Sequence, residues 1–283
     1  MQPPPPSQLR SKARSLTLGV IFEPEMIPGL TVTFDYYDIT VDQAIAQPNP
    51  QDAIDACFNA PSATSAACLG ISRSPIDGGL SGDNAVVGGL PLFLSNAGKL
   101  ATDGFDFTIG YNRDIMNMPW RSYFAGNLTN SSTFQATPTS ENRECVGLYS
   151  ANCQSIQPEF TFNWRNTLTI SDMFDVSVMW RHISGNEYED RDTDTAFVGS
   201  PEGGVLGEWD FNQTDAYNIF DLTGRMNVTE NLSLTLNVSN LFDKHPPLTG
   251  SFIGATGYNS GNTYPSTYDT LGRRYKLSLK AKF

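Results

Sequence analysis

Apolar and polar residues alternate along several separate stretches of this chain. In the clearest one, residues 274–283, apolar residues occupy every second position and basic or hydroxyl residues stand between them. A period of two is typical of a β-strand with one apolar and one polar face. One such strand also fits the edge of a soluble β-sandwich, so the interpretation depends on whether other stretches repeat the pattern.

The same alternation recurs along the chain and predicts about nine strands. Each is close to the length that a tilted strand needs to cross a bilayer. The chain is therefore predicted to be all-β. Besides the stretch above, strands are predicted near residues 16–22, 30–36, 105–111, 120–134, 160–170, 174–180, 220–228 and 232–238.

The predicted connections between strands are alternately short and long. Short turns at one end of the strands and long loops at the other are typical of outer-membrane barrels, with the turns in the periplasm and the loops outside the cell. A soluble Greek-key fold has no reason to separate loop lengths in this way. The pattern predicts a segment of an antiparallel up-and-down transmembrane β-barrel. Its short turns lie near residues 23–29, 115–118, 171–173 and 229–231, and its long loops near 44–98, 135–157, 186–213 and 243–267.

Composition narrows the class of protein further. The chain has 283 residues, of which 39% are hydrophobic, and a formal net charge of −12. It contains no apolar run of the roughly 18 residues that a membrane helix requires, so the sequence predicts no such helix. It also lacks a basic stripe that could replace phosphate counterions, which argues against nucleic acid as a partner.

Four cysteines form two local pairs, and each pair falls within one long loop. Neither pair has the short C-x-x-C spacing of a zinc or redox site. Two disulfides formed in an oxidising compartment are the predicted use. The predicted bonds join Cys57 to Cys68 and Cys145 to Cys153.

One acidic stretch has the spacing of a calcium-binding loop, with Asp190, Asp192 and Asp194 at alternate positions. However, Thr195 stands where that loop needs glycine, and Pro201 stands where it needs a bidentate glutamate. A solvated acidic loop is the predicted state. The sequence presents no arrangement of catalytic residues, and we predict no enzyme activity, no metal site and no cofactor.

Two segments near the end of the chain carry a family resemblance. Residues 236–247, LNVSNLFDKHPP, and residues 268–283, YDTLGRRYKLSLKAKF, resemble the C-terminal part of TonB-dependent receptors of the Gram-negative outer membrane. Residues 11–20 and 33–39 are similar to barrel segments further upstream in the same family. The resemblance covers nearly the whole chain.

The resemblance implies a barrel of about 22 strands whose lumen holds a plug. Since about nine strands cannot form such a barrel, we expect residues 11–283 to be its C-terminal part, a partial barrel without the plug domain and the first barrel strands. Residues 1–10 are then expected to be a truncated loop or a ragged start. The implied location is the cell outer membrane.

The resemblance also implies a function: energy-coupled uptake of a scarce nutrient such as a siderophore–metal complex, a vitamin or an oligosaccharide. No individual ligand-binding residue is predicted, but the loops at residues 187–212 and 246–266 are the expected ligand-facing surfaces. The implied partners are outer-membrane lipid, the plug domain, the TonB energy-transducing complex, a small-molecule or oligosaccharide ligand, and the barrel assembly machinery, which would contact the strand ending at Phe283.

A second hypothesis stays open from the residues alone. The chain could be a secreted or small-barrel β-protein with a binding or structural role, in which Trp209, Tyr217 and Tyr258 form a carbohydrate-binding face. Stability without detergent would distinguish the two hypotheses.

The barrel hypothesis assigns each side chain to a face. Trp120, Trp164, Trp180 and Tyr275 are candidates either for aromatic girdles at the membrane interfaces or for ordinary packing on the barrel wall. Two sets of residues test the orientation: Leu234, Phe162 and Leu277 are predicted to face lipid, and Thr235, Asn163 and Lys276 to face the lumen.

Overall fold

The fold is described from a computed structural model. It describes residues 10–58, 62, 64–80, 87–90, 92–138, 140–150, 153, 155–189, 198–199, 209–210, 212–250 and 262–282. Within them lie the strands β1 (Lys12–Phe22), β2 (Leu30–Ala46), β3 (Ser95–Ile115), β4 (Met118–Gln135), β5 (Arg143–Glu144), β6 (Leu148–Tyr149), β7 (Phe160–Ser171), β8 (Phe174–Ile183), β9 (Asn186–Tyr188), β10 (Val198–Gly199), β11 (Trp209–Asp210), β12 (Gln213–Thr214), β13 (Tyr217–Thr229), β14 (Leu232–Ser239) and β15 (Arg274–Ala281), and the helices α1 (Pro50–Phe58) and α2 (Ala66–Leu69).

Most of the long strands belong to one sheet. Its order is β1-β2-β3-β4-β7-β8-β13-β14-β15, with the short β5 paired to β4 as a tenth strand. Pairings along this order are antiparallel, for example between β7 and β8 and between β14 and β15. Because each long strand pairs with the next long strand in the chain, the sheet is up-and-down. The predicted all-β class, antiparallel arrangement and strand number are confirmed.

The two ends of the sheet differ in their connections, as predicted. At one end, the short-turn end, two to seven residues join β1 to β2, β3 to β4, β7 to β8 and β13 to β14. Met116 and Asn117 form the tightest of these turns, and both have positive φ, at 53° and 62°. Such left-handed residues match the twist of a hairpin. The opposite, long-loop end carries the long connections.

Two helices in the first long connection were not predicted, because residues 44–98 were expected to be a polar loop. In α1, Pro50 occupies the first position, where a missing N–H costs nothing, and Asp52 lies in the first turn. The helix has nine residues. This length is too short for a helical period to be recognised in the sequence.

The register of the sheet separates two faces. In one row across β4, β7, β8, β13, β14 and β15, every side chain is polar: Arg121, Thr167, Ser177, Thr223, Asn237 and Lys276. The adjacent row is apolar: Trp120, Leu168, Val176, Gly224, Leu236 and Leu277. We call these the polar face and the aromatic face. The six residues chosen to test orientation fall on these faces as predicted, whereas the contact of either face with lipid stays a prediction.

The chain divides into two compact units. One comprises Met1–Leu16, Asp38–Thr102 and Ser131–Glu144, and the other Thr17–Tyr37, Asp103–Asn130 and Cys145–Phe283. The first contains both helices, and the second contains the six-strand rows given above. Among the described residues, no helix has the length and apolar character needed to span a bilayer.

Candidate functional site: the polar face and its long loops

The long-loop end of the polar face carries a network of alternating charges. Arg181 in β8 donates from Nε and Nη2 to the two carboxylate oxygens of Asp221 in β13, at 2.9 and 3.0 Å. Arg274 in β15 makes the same bidentate contact with Asp269, at 2.8 and 2.7 Å. Arg181 Nη2 also lies 3.7 Å from Asp269. Both carboxylates are only 7% exposed. Each buried negative charge is therefore matched by a guanidinium.

The same network fixes the chain where β14 ends. The backbone N–H of Asn240 donates to Asp221 Oδ1 at 2.8 Å. Asn240 is fully buried, and its side-chain amide bonds both the N–H and the carbonyl oxygen of Lys244, at 2.8 and 2.9 Å. Asn240 and Asp243 have φ values of 52° and 56°, which Asn and Asp tolerate better than most residues. The segment that carries the family resemblance therefore ends a strand and starts a loop.

Above this network, the long connections share a small core that we call the tyrosine cluster. Tyr217 packs edge-to-face on Tyr268, with ring centroids 5.3 Å apart. The Tyr217 hydroxyl lies 3.2 Å from the carbonyl oxygens of Lys244 and Asp269. The cluster consists of residues from β13 and two long connections: Tyr149, Ile156, Tyr217, Ile219, Tyr264 and Tyr268. Ile183 of β8 and Tyr188 of a third long connection pack against it.

One polar atom of this cluster and one beside it lack partners among the described residues. Tyr264 is fully buried, and its hydroxyl makes no hydrogen bond; Asn186 Oδ1 also makes none. The Asn186 amide group does donate to the Tyr268 hydroxyl at 3.1 Å. Burial, together with the neighbouring Tyr188 and Tyr268, raises the pKa of Tyr264 to about 12. The Tyr264 phenol is therefore neutral near pH 7.

The short-turn end of the polar face is different, because cationic side chains there outnumber acidic ones. We call Arg121, Arg165, Arg225, Lys276 and Lys280 the cationic band; Arg165 is its member nearest the long-loop end, in the register row of Asp221. Arg165 points its guanidinium at neutral atoms, 3.4 Å from Ser177 Oγ and 3.1 Å from the Met179 sulfur. The band lines two open clefts. One of about 250 Å³ contains Arg121, Arg165 and Arg225, and one of about 440 Å³ contains Arg225 and Lys280.

The predicted ligand-facing loops lie partly within the described residues. Residues 187–189, 198–199, 209–210 and 212 of the first loop are described, as are 246–250 and 262–266 of the second. The candidate calcium loop, with Asp190, Asp192 and Asp194, lies outside them, and so does Tyr258. Within the described part, no group of three His, Cys, Asp or Glu residues could hold a metal ion.

The disulfides join the pairs that the spacing predicts. Cys57 is bonded to Cys68 and Cys145 to Cys153, with Cα–Cα distances of 4.7 and 5.6 Å. The first joins α1 to α2, in the unit that also contains the buried ion pair between Asp52 and Arg143. The second closes a short stretch that contributes Tyr149 to the tyrosine cluster.

Ring stacking extends along the aromatic face. Phe124 stacks on Phe162 with centroids 5.0 Å apart, and Trp180 stacks on Phe220 at 5.6 Å. The indole N–H of Trp164 donates to Ser122 Oγ at 2.9 Å. The four girdle candidates all lie at positions whose side chains belong to this face: Trp120, Trp164, Trp180 and Tyr275. Their position relative to a membrane interface stays a prediction.

Several solved receptor structures resemble this chain in fold. A mutant of the ferric enterobactin receptor of Pseudomonas aeruginosa matches with a TM-score of 0.57 and 18% identity, over 96% of this chain and 31% of that one. The siderophore receptor PirA of Acinetobacter baumannii matches with a TM-score of 0.52 and 18% identity, over 96% of this chain and 32% of that one. The ferric-catecholate import receptor Fiu of E. coli matches with a TM-score of 0.50 and 16% identity, over 96% of this chain and 28% of that one.

These likenesses show the fold alone, and the chain spans about a third of the length of each receptor. No curated protein matches it by sequence. A family model, described as TonB dependent receptor-like, beta-barrel, matches residues 4–241. That match includes every strand of the sheet except β15. The chain therefore belongs to the TonB-dependent receptor-like β-barrel family.

Proposed function

We propose that this chain forms the C-terminal part of the barrel wall of an outer-membrane receptor that takes up a scarce nutrient with energy from the TonB complex. Residues 11–283 supply wall strands and loops, and the plug domain and the first barrel strands belong to other parts of the receptor. The aromatic face meets lipid, the polar face lines the lumen, and the long loops lie outside the cell.

The family match over residues 4–241 is the observation that carries this proposal. The register supports it independently, because it keeps polar and apolar rows apart across six consecutive strands. A wall with lipid on one side and water on the other requires this separation. Family membership also confirms the prediction that the chain is not an enzyme.

Among the candidate nutrients, a ferric siderophore is favoured. The neighbours include receptors whose names specify ferric enterobactin, ferric catecholates and siderophores. Contact with TonB, and with the barrel assembly machinery through the strand ending at Phe283, is part of the proposal; Phe283 itself lies outside the described residues.

Uptake in cells tests this function. Cells that carry the gene and cells with an in-frame deletion are compared for uptake of radiolabelled ferric catecholate siderophores, cobalamin and maltodextrin, with and without a protonophore. We expect the deletion to abolish protonophore-sensitive uptake of one ferric siderophore. A gene product that stays folded and monomeric in buffer without detergent, with no uptake defect, would favour the secreted β-protein instead.

A further inference from the structure

We propose that the cationic band docks an acidic polypeptide surface inside the lumen. This inference rests on the proposed function, in which the polar face lines the lumen of a receptor. To that function it adds the charge of the partner's surface and the wall residues that bind this surface. The partner is the part of the receptor that occupies the lumen beside these strands, in a receptor of the proposed kind its plug domain.

The band carries positive charge that the wall itself does not neutralise. Arg121, Arg225, Lys276 and Lys280 make no ion pair or side-chain hydrogen bond with any described residue, and the partners of Arg165 are neutral. Asp175 lies directly opposite Arg225 in the register and accepts a hydrogen bond from Thr169. Asp172 and Glu230 stand at the turns below. The chain as a whole is acidic, with a net charge of −12, so the band is a local exception.

The charge of the occupant follows from desolvation. In an open lumen, water solvates five cationic groups at little cost. A neutral surface seated against them would remove that water and supply no counter-charge, which is strongly unfavourable. Carboxylates on the occupant would replace the water with charge-assisted hydrogen bonds. A surface that covers this part of the wall is therefore acidic.

The width of the band indicates a polypeptide rather than a small anion. Arg121 in β4 and Lys276 in β15 lie in one register row, separated by five strand-to-strand steps. At about 4.8 Å per step, the row is about 24 Å wide. One small chelate cannot contact both ends of such a row, whereas a protein interface of ordinary size can.

Zero-length cross-linking tests the proposal in the natural gene product. Outer-membrane vesicles that contain it are treated with a water-soluble carbodiimide, which joins a lysine amine to a carboxylate in direct contact, and the products are mapped by mass spectrometry. We expect Lys276 and Lys280 to be joined to Asp or Glu residues outside residues 11–283. The yield should fall strongly when salt is added before the reagent, because exposed charges are screened.

Arginine-to-lysine variants extend the test across the band while keeping its charge. Arg121→Lys and Arg225→Lys should each gain a cross-link to the same acidic segment. The matched controls, Arg14→Lys in β1 and Arg113→Lys in β3, are exposed arginines on the aromatic side of their strands and should gain none. If one variant fails to assemble, the native Lys276 and Lys280 give the same readout without any substitution.

The outcomes separate this inference from the proposed function. Cross-links only to carboxylates within residues 11–283, or none, in a protein that still transports its nutrient would overturn the acidic partner and leave the receptor intact. Coupling of Lys276 and Lys280 to added citrate in place of Asp or Glu residues, at an ionic strength matched with sodium chloride, would show a small-anion site instead and would also overturn it. A protein absent from the outer membrane and without uptake refutes the proposed function.

Discussion

The two ends of the polar face use similar charged residues in opposite ways. At the long-loop end, Arg181 and Arg274 are each locked to a carboxylate that is 7% exposed. At the short-turn end, Arg121 and Arg225 are exposed and have no acidic partner among the described residues. A buried charge must be paired, because no water can solvate it, whereas an exposed charge is stable alone. The first arrangement holds loops on the wall, and the second leaves charge available to a partner.

The difference between the two ends has this meaning only if the polar face is in contact with water. A charge introduced on either face tests this assignment, and it has the largest expected effect. Leu236→Arg places a charge in the apolar row of the aromatic face and should cost about 2–4 kcal/mol of unfolding free energy in lipid. Thr235→Arg, one residue earlier on the polar face, should cost much less. Urea unfolding in lipid vesicles, followed by tryptophan fluorescence, measures both. Equal costs would contradict the assignment of the faces.

A matched pair of substitutions compares the two ends directly. Asp221→Asn keeps the shape but removes the charge that holds Arg181 and weakens the acceptor for the Asn240 N–H, so we expect a loss of about 2 kcal/mol. Asp175→Asn makes the same change at the short-turn end, where the carboxylate accepts one hydroxyl donor. Its loss should be below about 1 kcal/mol. The two ends would not differ as described if both substitutions cost the same in urea unfolding.

Alkaline pH should loosen the long-loop end selectively. The pKa of Tyr264 is about 12 in the folded protein, against 10 in the unfolded chain, because burial disfavours the phenolate. The folded state therefore binds this proton more tightly, and its contribution to stability is complete below pH 10 and is lost as pH rises towards 12. Tyrosinate absorbance and limited proteolysis of the loops should change together in this window.

Tyr264→Phe provides the control for the alkaline transition. It removes one titrating group and also a buried hydroxyl that has no hydrogen-bond partner, so stability near pH 7 should stay equal or rise slightly. The alkaline transition should become shallower. A clear loss of stability at neutral pH would mean that this hydroxyl has a partner.

The smallest expected effect on the wall concerns the disulfides. Replacing Cys57 and Cys68 by serine should leave the unfolding midpoint of the wall nearly unchanged, because the bond lies in a connection whose ends the strands already hold. Protease sensitivity of residues 47–94 should increase. Non-reducing peptide mapping of the unaltered protein should recover Cys57–Cys68 and Cys145–Cys153, and free thiols or crossed pairs would contradict the assignment.

The strands, their faces and the alternation of short and long connections were predictable from the sequence. An alternation such as that of β15 depends only on neighbouring residues, since successive side chains in a strand point to opposite faces. The cysteine pairs were predictable for a similar reason, because each pair is close in sequence. Family membership followed from motifs that lie within single segments.

Only the tertiary structure decided which charges are paired. Arg181 and Asp221 are 40 residues apart, and only the register between β8 and β13 brings them into contact. The sequence places Arg225 and Arg181 at polar positions of similar alternating strands, with nothing to indicate that one forms an ion pair and the other does not. The tyrosine cluster was missed for the same reason, since its members come from connections that are far apart in the chain. Local patterns specify strands, whereas pairing and burial depend on where distant segments meet.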